Sequence, residues 1–214
     1  MTALNRVILR NESFGGVYFN QANGRTVMVD QGGFLTLFKH VSNGSLSEEE
    51  KKFSRFFFNE TTPKEVKLIH EKKVRFRMNA PVVTCSPILI DLSLNNECNL
   101  SCPYCYMSAK PLGEGELLEM EDFELLLSEM IQNRVLQIAL GGGEPTFHPH
   151  FTEILKRLRM EGDIIPNYTP NGTNLTKDIL ETTKKYCGAV AVSYSDEREE
   201  ENVQAIKTFI KHGI

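Results

Sequence analysis

From residue 88 onward the spacing of apolar positions switches repeatedly between strand-like and helix-like. Ile88-Leu89-Ile90-Asp91-Leu92-Ser93-Leu94 is a β-branched apolar run bounded by Pro87 and Asn95-Asn96, which predicts a buried strand. Glu121 to Met130 is helix-spaced, with acidic residues in its first turn. Val135 to Leu140 predicts a second strand, and Pro149 to Met160 a second helix with Phe151, Ile154, Leu155 and Leu158 on one face. Ile164–Tyr168, Lys177–Tyr186, Ala189–Tyr194 and Glu199–His212 continue as strand, helix, strand, helix. Strict alternation implies parallel strands joined by right-handed crossovers. The expected class is α/β, with four βα units.

The first eighty residues follow another pattern. Arg6-Val7-Ile8-Leu9-Arg10 is strand-like, and Gly15–Asn20 and Arg25–Asp30 flank Gln21-Ala22-Asn23-Gly24 as a hairpin. Phe34, Leu35, Leu37, Phe38 and Val41 then take helical spacing, ended by Asn43-Gly44. Ser47 and Glu50 form a capping box for a second helix carrying Phe53, Phe56 and Phe57. Thr62-Pro63-Lys64-Glu65 opens a third, running through Val66 and Ile69, and Val74 to Arg77 alternates as a closing strand. These predictions describe a small α+β, winged-helix-like domain over residues 1–78. Residues 79–87, uncharged and with two prolines, form an extended linker to a second domain, 88–214.

The candidate chemistry sits on the loop after the first strand of that second domain. Cys98, Cys102 and Cys105 stand in C-x3-C-x2-C spacing with Tyr104 before the last. Thiolates are the usual ligands of iron–sulfur clusters. Three on one short loop hold three irons of a [4Fe–4S] cube and leave the fourth open. Zinc is the alternative, but it usually takes four ligands, and no second cysteine pair is present. A disulfide would leave one thiol over. Cys85 and Cys187 are expected to be small buried core residues.

The spacing and its aromatic resemble the signature of the radical S-adenosylmethionine (radical SAM) enzymes. The resemblance implies that Cys98, Cys102 and Cys105 ligate the cluster. SAM chelates the open iron, an electron cleaves it to methionine and a 5′-deoxyadenosyl radical, and Tyr104 lies beside the adenine. The second strand runs into Gly141-Gly142-Gly143-Glu144-Pro145, a glycine turn lacking a phosphate-binding lysine and the G-x-G-x-x-G pattern. It resembles the superfamily's Gly-Gly-Glu-Pro motif, which implies that Gly142, Gly143 and Glu144 form part of the SAM pocket, the carboxylate accepting from SAM's α-amino group. Two motifs on successive strands in the right order make chance a poor explanation. After the third strand, Asn171 falls in a Thr-Asn-Gly-like position, although Pro170 replaces the threonine. After the fourth, Ser193 and Ser195 are candidates near SAM's ribose and carboxylate, or else cap the following helix. His148 is read as a loop residue without chemistry.

The resemblance also implies a partial (β/α) barrel, an electron donor of flavodoxin or ferredoxin type, and strands five and six beyond residue 214. The chain therefore reads as a fragment of a longer enzyme, or as a variant completed by a partner. The run Glu12-x-x-Gly15-Gly16-x-x-Phe19-Asn20, with Gly24-Arg25 and Val29-Asp30 before a helix, resembles the peptide-recognition domain of ribosomal-peptide maturases. That implies a precursor leader peptide added as a strand on the hairpin edge, against the third helix. Lys64, Lys67, Lys72, Lys73, Arg75 and Arg77 face an acidic leader or simply solvent.

The expected function is modification of a precursor peptide by radical SAM chemistry. The alternatives are a radical SAM enzyme acting on a small-molecule cofactor precursor, or a non-catalytic cluster-binding protein. A net charge of −4 argues against bulk attraction to nucleic acid, and no apolar run approaches a membrane span. Without a signal-peptide pattern, and with three clustered thiols, a reducing cytoplasm is expected.

Overall fold

The computed structural model describes residues 6–58, 65–69, 76–77 and 81–214, and these divide into two compact units, residues 1–85 and 86–214. In the first, β1 (Arg6–Glu12), β2 (Gly15–Asn20) and β3 (Thr26–Asp30) form an antiparallel meander. Two helices follow, α1 (Gln31–Val41) and α2 (Glu48–Phe58). The Asp30 carboxylate caps α1 by accepting from Gly33 N, and Ser47 and Glu50 cap α2 reciprocally, as the sequence pattern predicts. Val7, Leu9, Tyr18, Phe34, Leu37 and Phe57 form the core of this unit.

The predicted third helix is corrected. Glu65–Ile69 is a strand, β4, paired in parallel with β1 so that Val66 opposes Val7 and Leu68 opposes Leu9. Without it β1 would leave a row of backbone groups unpaired. That long-range pairing, with β-branched Val66 and Ile69, outweighs the helix-start signal at Pro63. The sheet order is β3-β2-β1-β4, leaving β3 and β4 as its edges. Thr62 to Lys64, Lys72 to Arg75 and residues 79–80 of the expected linker lie outside the described residues. Arg77 takes no strand conformation, although its N–H donates to Ser13 O.

The second unit is a parallel four-stranded sheet in the order β5-β6-β7-β8, with a helix after each strand. The elements are β5 (Leu89–Asn95), α3 (Met120–Gln132), β6 (Gln137–Gly142), α4 (Phe151–Met160), β7 (Ile165–Tyr168), α5 (Lys177–Tyr186), β8 (Ala189–Val190) and α6 (Glu199–Lys211). This is a partial parallel (β/α) barrel of four βα units. One face of the sheet packs on the helices through Leu94, Ile138, Leu140, Phe123, Leu127, Ile154, Leu155 and Leu158. At roughly 1.5–3 kcal/mol for each fully buried large apolar side chain, this face is the main source of the unit's stability.

Two strand expectations change. β5 is not buried on both sides, because Leu89, Asp91 and Ser93 are exposed while Leu94 packs inward. The fourth strand shrinks to Ala189–Val190. Ala191 N still donates to Tyr168 O and Ser193 N to Pro170 O, but Pro170 has no N–H to continue the ladder. No cysteine forms a disulfide. Cys187 packs against the core, whereas Cys85, expected to be buried, is exposed. Among the described residues no helix is long and apolar enough to cross a membrane.

Candidate functional site

The ends of β5 and β6 meet through a change of register. Leu89–Ser93 pair one-to-one with Gln137–Gly141, but Asn95 then opposes Gly142, so Leu94 is an extra residue, a β-bulge. Asn95 turns its side chain onto the glycine loop, donating from Nδ2 to Glu144 O and accepting at Oδ1 from Gly143 N. Gly143 N also donates to Asn95 O at 2.9 Å, and Glu144 N to Glu97 O at 2.7 Å. Gly142 has φ +116°, and a Cβ on it would lie 2.1 Å from Asn95 O. A Cβ on Gly143 would lie 2.0 Å from Glu97 O. The glycines thus let one loop lie against the backbone that leads straight into Cys98. Gly142 and Gly143 serve this close approach.

Glu144 is buried, at 1% exposure. Its Oε1 accepts from Thr146 N and Thr146 Oγ1, and its Oε2 from Asn171 N at 2.6 Å. Burial pushes its carboxyl above the usual carboxylate range, against the pull of these donors. Asn171, after β7, joins the parts of the site. Its Nδ2 donates to Asn99 Oδ1 at 2.9 Å and reaches Cys98 Sγ at 3.6 Å. Its Oδ1 accepts from Thr173 N and Thr173 Oγ1, and its carbonyl oxygen from Arg198 Nη1 and Asn202 Nδ2. Asn99 Nδ2 donates to Thr173 Oγ1 at 3.0 Å.

All three loop thiols are half-buried. The base of the loop is clasped by Cys98 N donating to Lys110 O and Lys110 N to Asn96 O, and Cys105 N donates to Cys102 O within it. Cys98 Sγ accepts from Leu100 N at 3.3 Å, and burial pushes its thiol up. A cube spreads its thiolates over separate irons, and three accessible thiols on one loop, beside a buried carboxylate, suit that group.

The remaining candidates lie around this centre unequally. Tyr104 is exposed, its hydroxyl 3.4 Å from Glu197 Oε2. Ser193 N donates to Pro170 O and Ser195 N to Asn202 Oδ1, which brings both to the Asn171 loop. Ser195 precedes a short 3-10 turn without capping it through its side chain. His148 is buried, with Nε2 facing Leu118 O at 2.9 Å and Nδ1 accepting from His150 N. It therefore braces the glycine loop against the segment before α3. Sequence reasoning missed Asn95, Asn99, Thr146, Thr173, Arg198 and Asn202. The available signal for the amides was asparagine at the carboxyl ends of β5 and β7, as Asn95, Asn99 and Asn171.

Residues 92–214, more than half of the chain, match the Radical SAM superfamily. The chain belongs to this superfamily. Membership implies an iron–sulfur cluster and SAM, and the three cysteines and Glu144 are the residues that could hold them. This radical SAM chain is 31% identical over 109 residues to the antilisterial bacteriocin subtilosin biosynthesis protein AlbA of Bacillus subtilis, covering 51% of this chain and 24% of that protein. It is 34% identical over 124 residues to a probable GTP 3′,8-cyclase of Thermoplasma volcanium, covering 56% and 36%. The crystal structure of Streptococcus suis SuiB bound to precursor peptide SuiA superposes with a TM-score of 0.63 at 17% identity. That likeness covers 99% of this chain and 54% of SuiB. The chain therefore spans about half of SuiB, and about a quarter to a third of these curated relatives.

Proposed function

We propose that this chain provides the leader-recognition and cofactor-binding parts of a radical SAM enzyme that modifies a ribosomally made precursor peptide. The observation that carries the reading is the fold likeness to SuiB, which runs through both units rather than the radical SAM unit alone. In this reading residues 1–78 capture a leader peptide as an added strand on the open edge of β3. Residues 88–214 hold the cofactors. The third helix that the leader was expected to lie against is strand β4, so the reading keeps only the β3 edge as the docking surface.

Cys98, Cys102 and Cys105 are the proposed cluster ligands, and a flavodoxin- or ferredoxin-type donor supplies the electron. Bound together, the cluster and SAM supply one-electron reductive cleavage of SAM and a carbon radical able to abstract hydrogen. Glu144 would accept from SAM's ammonium group. Thr146 and the Asn171 N–H hold that carboxylate in place before SAM arrives, so little orientation is left to gain on binding. Asn171, Ser193 and Ser195 would contact the rest of SAM, and Tyr104 would lie beside its adenine.

The second reading, action on a small molecule, is favoured by the GTP cyclase match, which lies within the radical SAM half. The two separate on one preparation, anaerobically reconstituted and reduced. It is incubated with SAM and with peptides encoded by short reading frames beside the gene, next to a Cys102→Ala control. Saturable binding of one peptide by residues 1–85, with 5′-deoxyadenosine formed and lost in the control, supports the peptide reading. Product formation without binding of any such peptide refutes it.

A further inference from the structure

We propose that Asn171 raises the reduction potential of the cluster through an N–H···S hydrogen bond to Cys98, with Asn99 and Thr173 as the positioning residues that aim it. The inference rests on the reading of Cys98, Cys102 and Cys105 as cluster ligands. Hydrogen bonds to ligand sulfurs are one of the levers that set iron–sulfur potentials. They stabilise the more negative, reduced cluster more than the oxidised one.

The orientation of the Asn171 amide follows from its neighbours. Thr173 N donates to Asn171 Oδ1 at 2.9 Å. A flipped amide would set its NH2 against that N–H, donor to donor. Nδ2 must therefore face the other way, where it meets Asn99 Oδ1 at 2.9 Å and Cys98 Sγ at 3.6 Å. Asn99 Nδ2 returns a bond to Thr173 Oγ1, which closes a ring of three side chains between the cysteine loop and the loop after β7. The backbone of Asn171 is fixed as well, by Glu144 on its N–H and by Arg198 and Asn202 on its carbonyl. The residue is 9% exposed, so water does not easily replace the donor. Cys98 has a second donor, Leu100 N, which survives any side-chain substitution. Changing Asn171 thus removes one of two donors and leaves the ligand in place.

The test is an EPR-monitored redox titration of the reconstituted protein without SAM, comparing wild type with Asn171→Leu, Asn171→Asp and Asn99→Ala. At the poise where the wild-type cluster is half reduced, the reduced-to-oxidised ratio in Asn171→Leu is expected to fall about tenfold, about 59 mV for a one-electron couple. Asn171→Asp, nearly isosteric and keeping the Thr173 contacts, replaces the donor with a negative acceptor and should fall at least as far. Asn99→Ala should move in the same direction by less. An unchanged midpoint in either Asn171 variant, with iron, sulfide and EPR line shape like wild type, overturns the proposal. A wild-type protein that takes up no iron and sulfide refutes instead the cluster reading beneath it.

Discussion

Gly143→Ala should damage this protein more than any other glycine-to-alanine change in the Gly141-Gly142-Gly143 run whose backbone angle suits alanine. A Cβ built at residue 143 lies 2.0 Å from Glu97 O, 2.4 Å from Glu97 C and 2.8 Å from Glu97 N. Carbon and its neighbours pack at roughly 3.5–4.0 Å, so the loop must retreat by about 1 Å or more. All three obstructing atoms are backbone, and no rotamer change relieves them. The retreat stretches Glu144 N to Glu97 O, now 2.7 Å, and Gly143 N to Asn95 O, now 2.9 Å. Overpacking costs roughly 1–3 kcal/mol and each weakened bond roughly 0.5–1.5 kcal/mol, so a loss of about 3 kcal/mol is expected. For a chain of this size that lowers the melting temperature by roughly 6–12 °C. Gly141→Ala is the internal control, because a Cβ there meets nothing within 4 Å. It should leave the midpoint unchanged or slightly raised. Thermal unfolding followed by circular dichroism, with SAM affinity by calorimetry, reads both effects. Melting temperatures for the two variants within about 2 °C of each other would refute the close-approach argument.

Three further outcomes follow from the same geometry. Because burial raises the Glu144 carboxyl, the folded protein holds its proton more tightly than the unfolded chain does. Stability without SAM should therefore fall as pH climbs from the ordinary carboxylate value to the raised one, while SAM affinity rises; Glu144→Gln should flatten both in urea and calorimetric series. His148 has its pKa lowered, mainly by burial, with His150 and Glu119 as the nearby charges. It should lose stability as pH drops below the usual histidine value, and His148→Ala should remove that slope and cost about 1–3 kcal/mol in urea unfolding at pH 8. In the first unit Tyr18 donates from its hydroxyl to Phe57 O at 2.8 Å, at the end of α2. Tyr18→Phe should cost about 1 kcal/mol or more by the same measurement, without changing SAM affinity.

The parts of this molecule that local pattern encodes were legible in the chain. Periods near 2 and 3.6 locate the four βα units of the second domain, and caps such as Ser47 and Glu50 mark helix starts within a residue or two. Cys98, Cys102, Cys105 and Glu144 stand in short motifs, and the fold sets both motifs at neighbouring strand ends. What escaped depends on distant segments meeting. β4 is a strand because β1 offers it an edge some sixty residues earlier in the chain, which no local helix signal registers. Asn171 stands in a motif that Pro170 alters, yet its bonds run to Glu144, Asn99, Arg198 and Asn202. Isolated amides carry no periodic signature. Cys85 failed in the opposite way, since burial was inferred from residue type alone.

The bulge at Leu94 has a consequence for how this site can vary. Side chains alternate along a strand, so one additional residue inverts the parity of everything after it. With the bulge, Leu94 keeps its place in the core while Asn95, the next residue, reaches the glycine loop. Removing Leu94 would leave the cysteine spacing untouched and still turn Asn95, the last residue of the strand, away from the glycine loop to which it now bonds. Two chains with the same C-x3-C-x2-C spacing are thus not interchangeable unless the phase of the preceding strand also matches. Grafting the loop onto a straight strand would present three correctly spaced thiols without the Asn95 bonds that hold the glycine loop beside them.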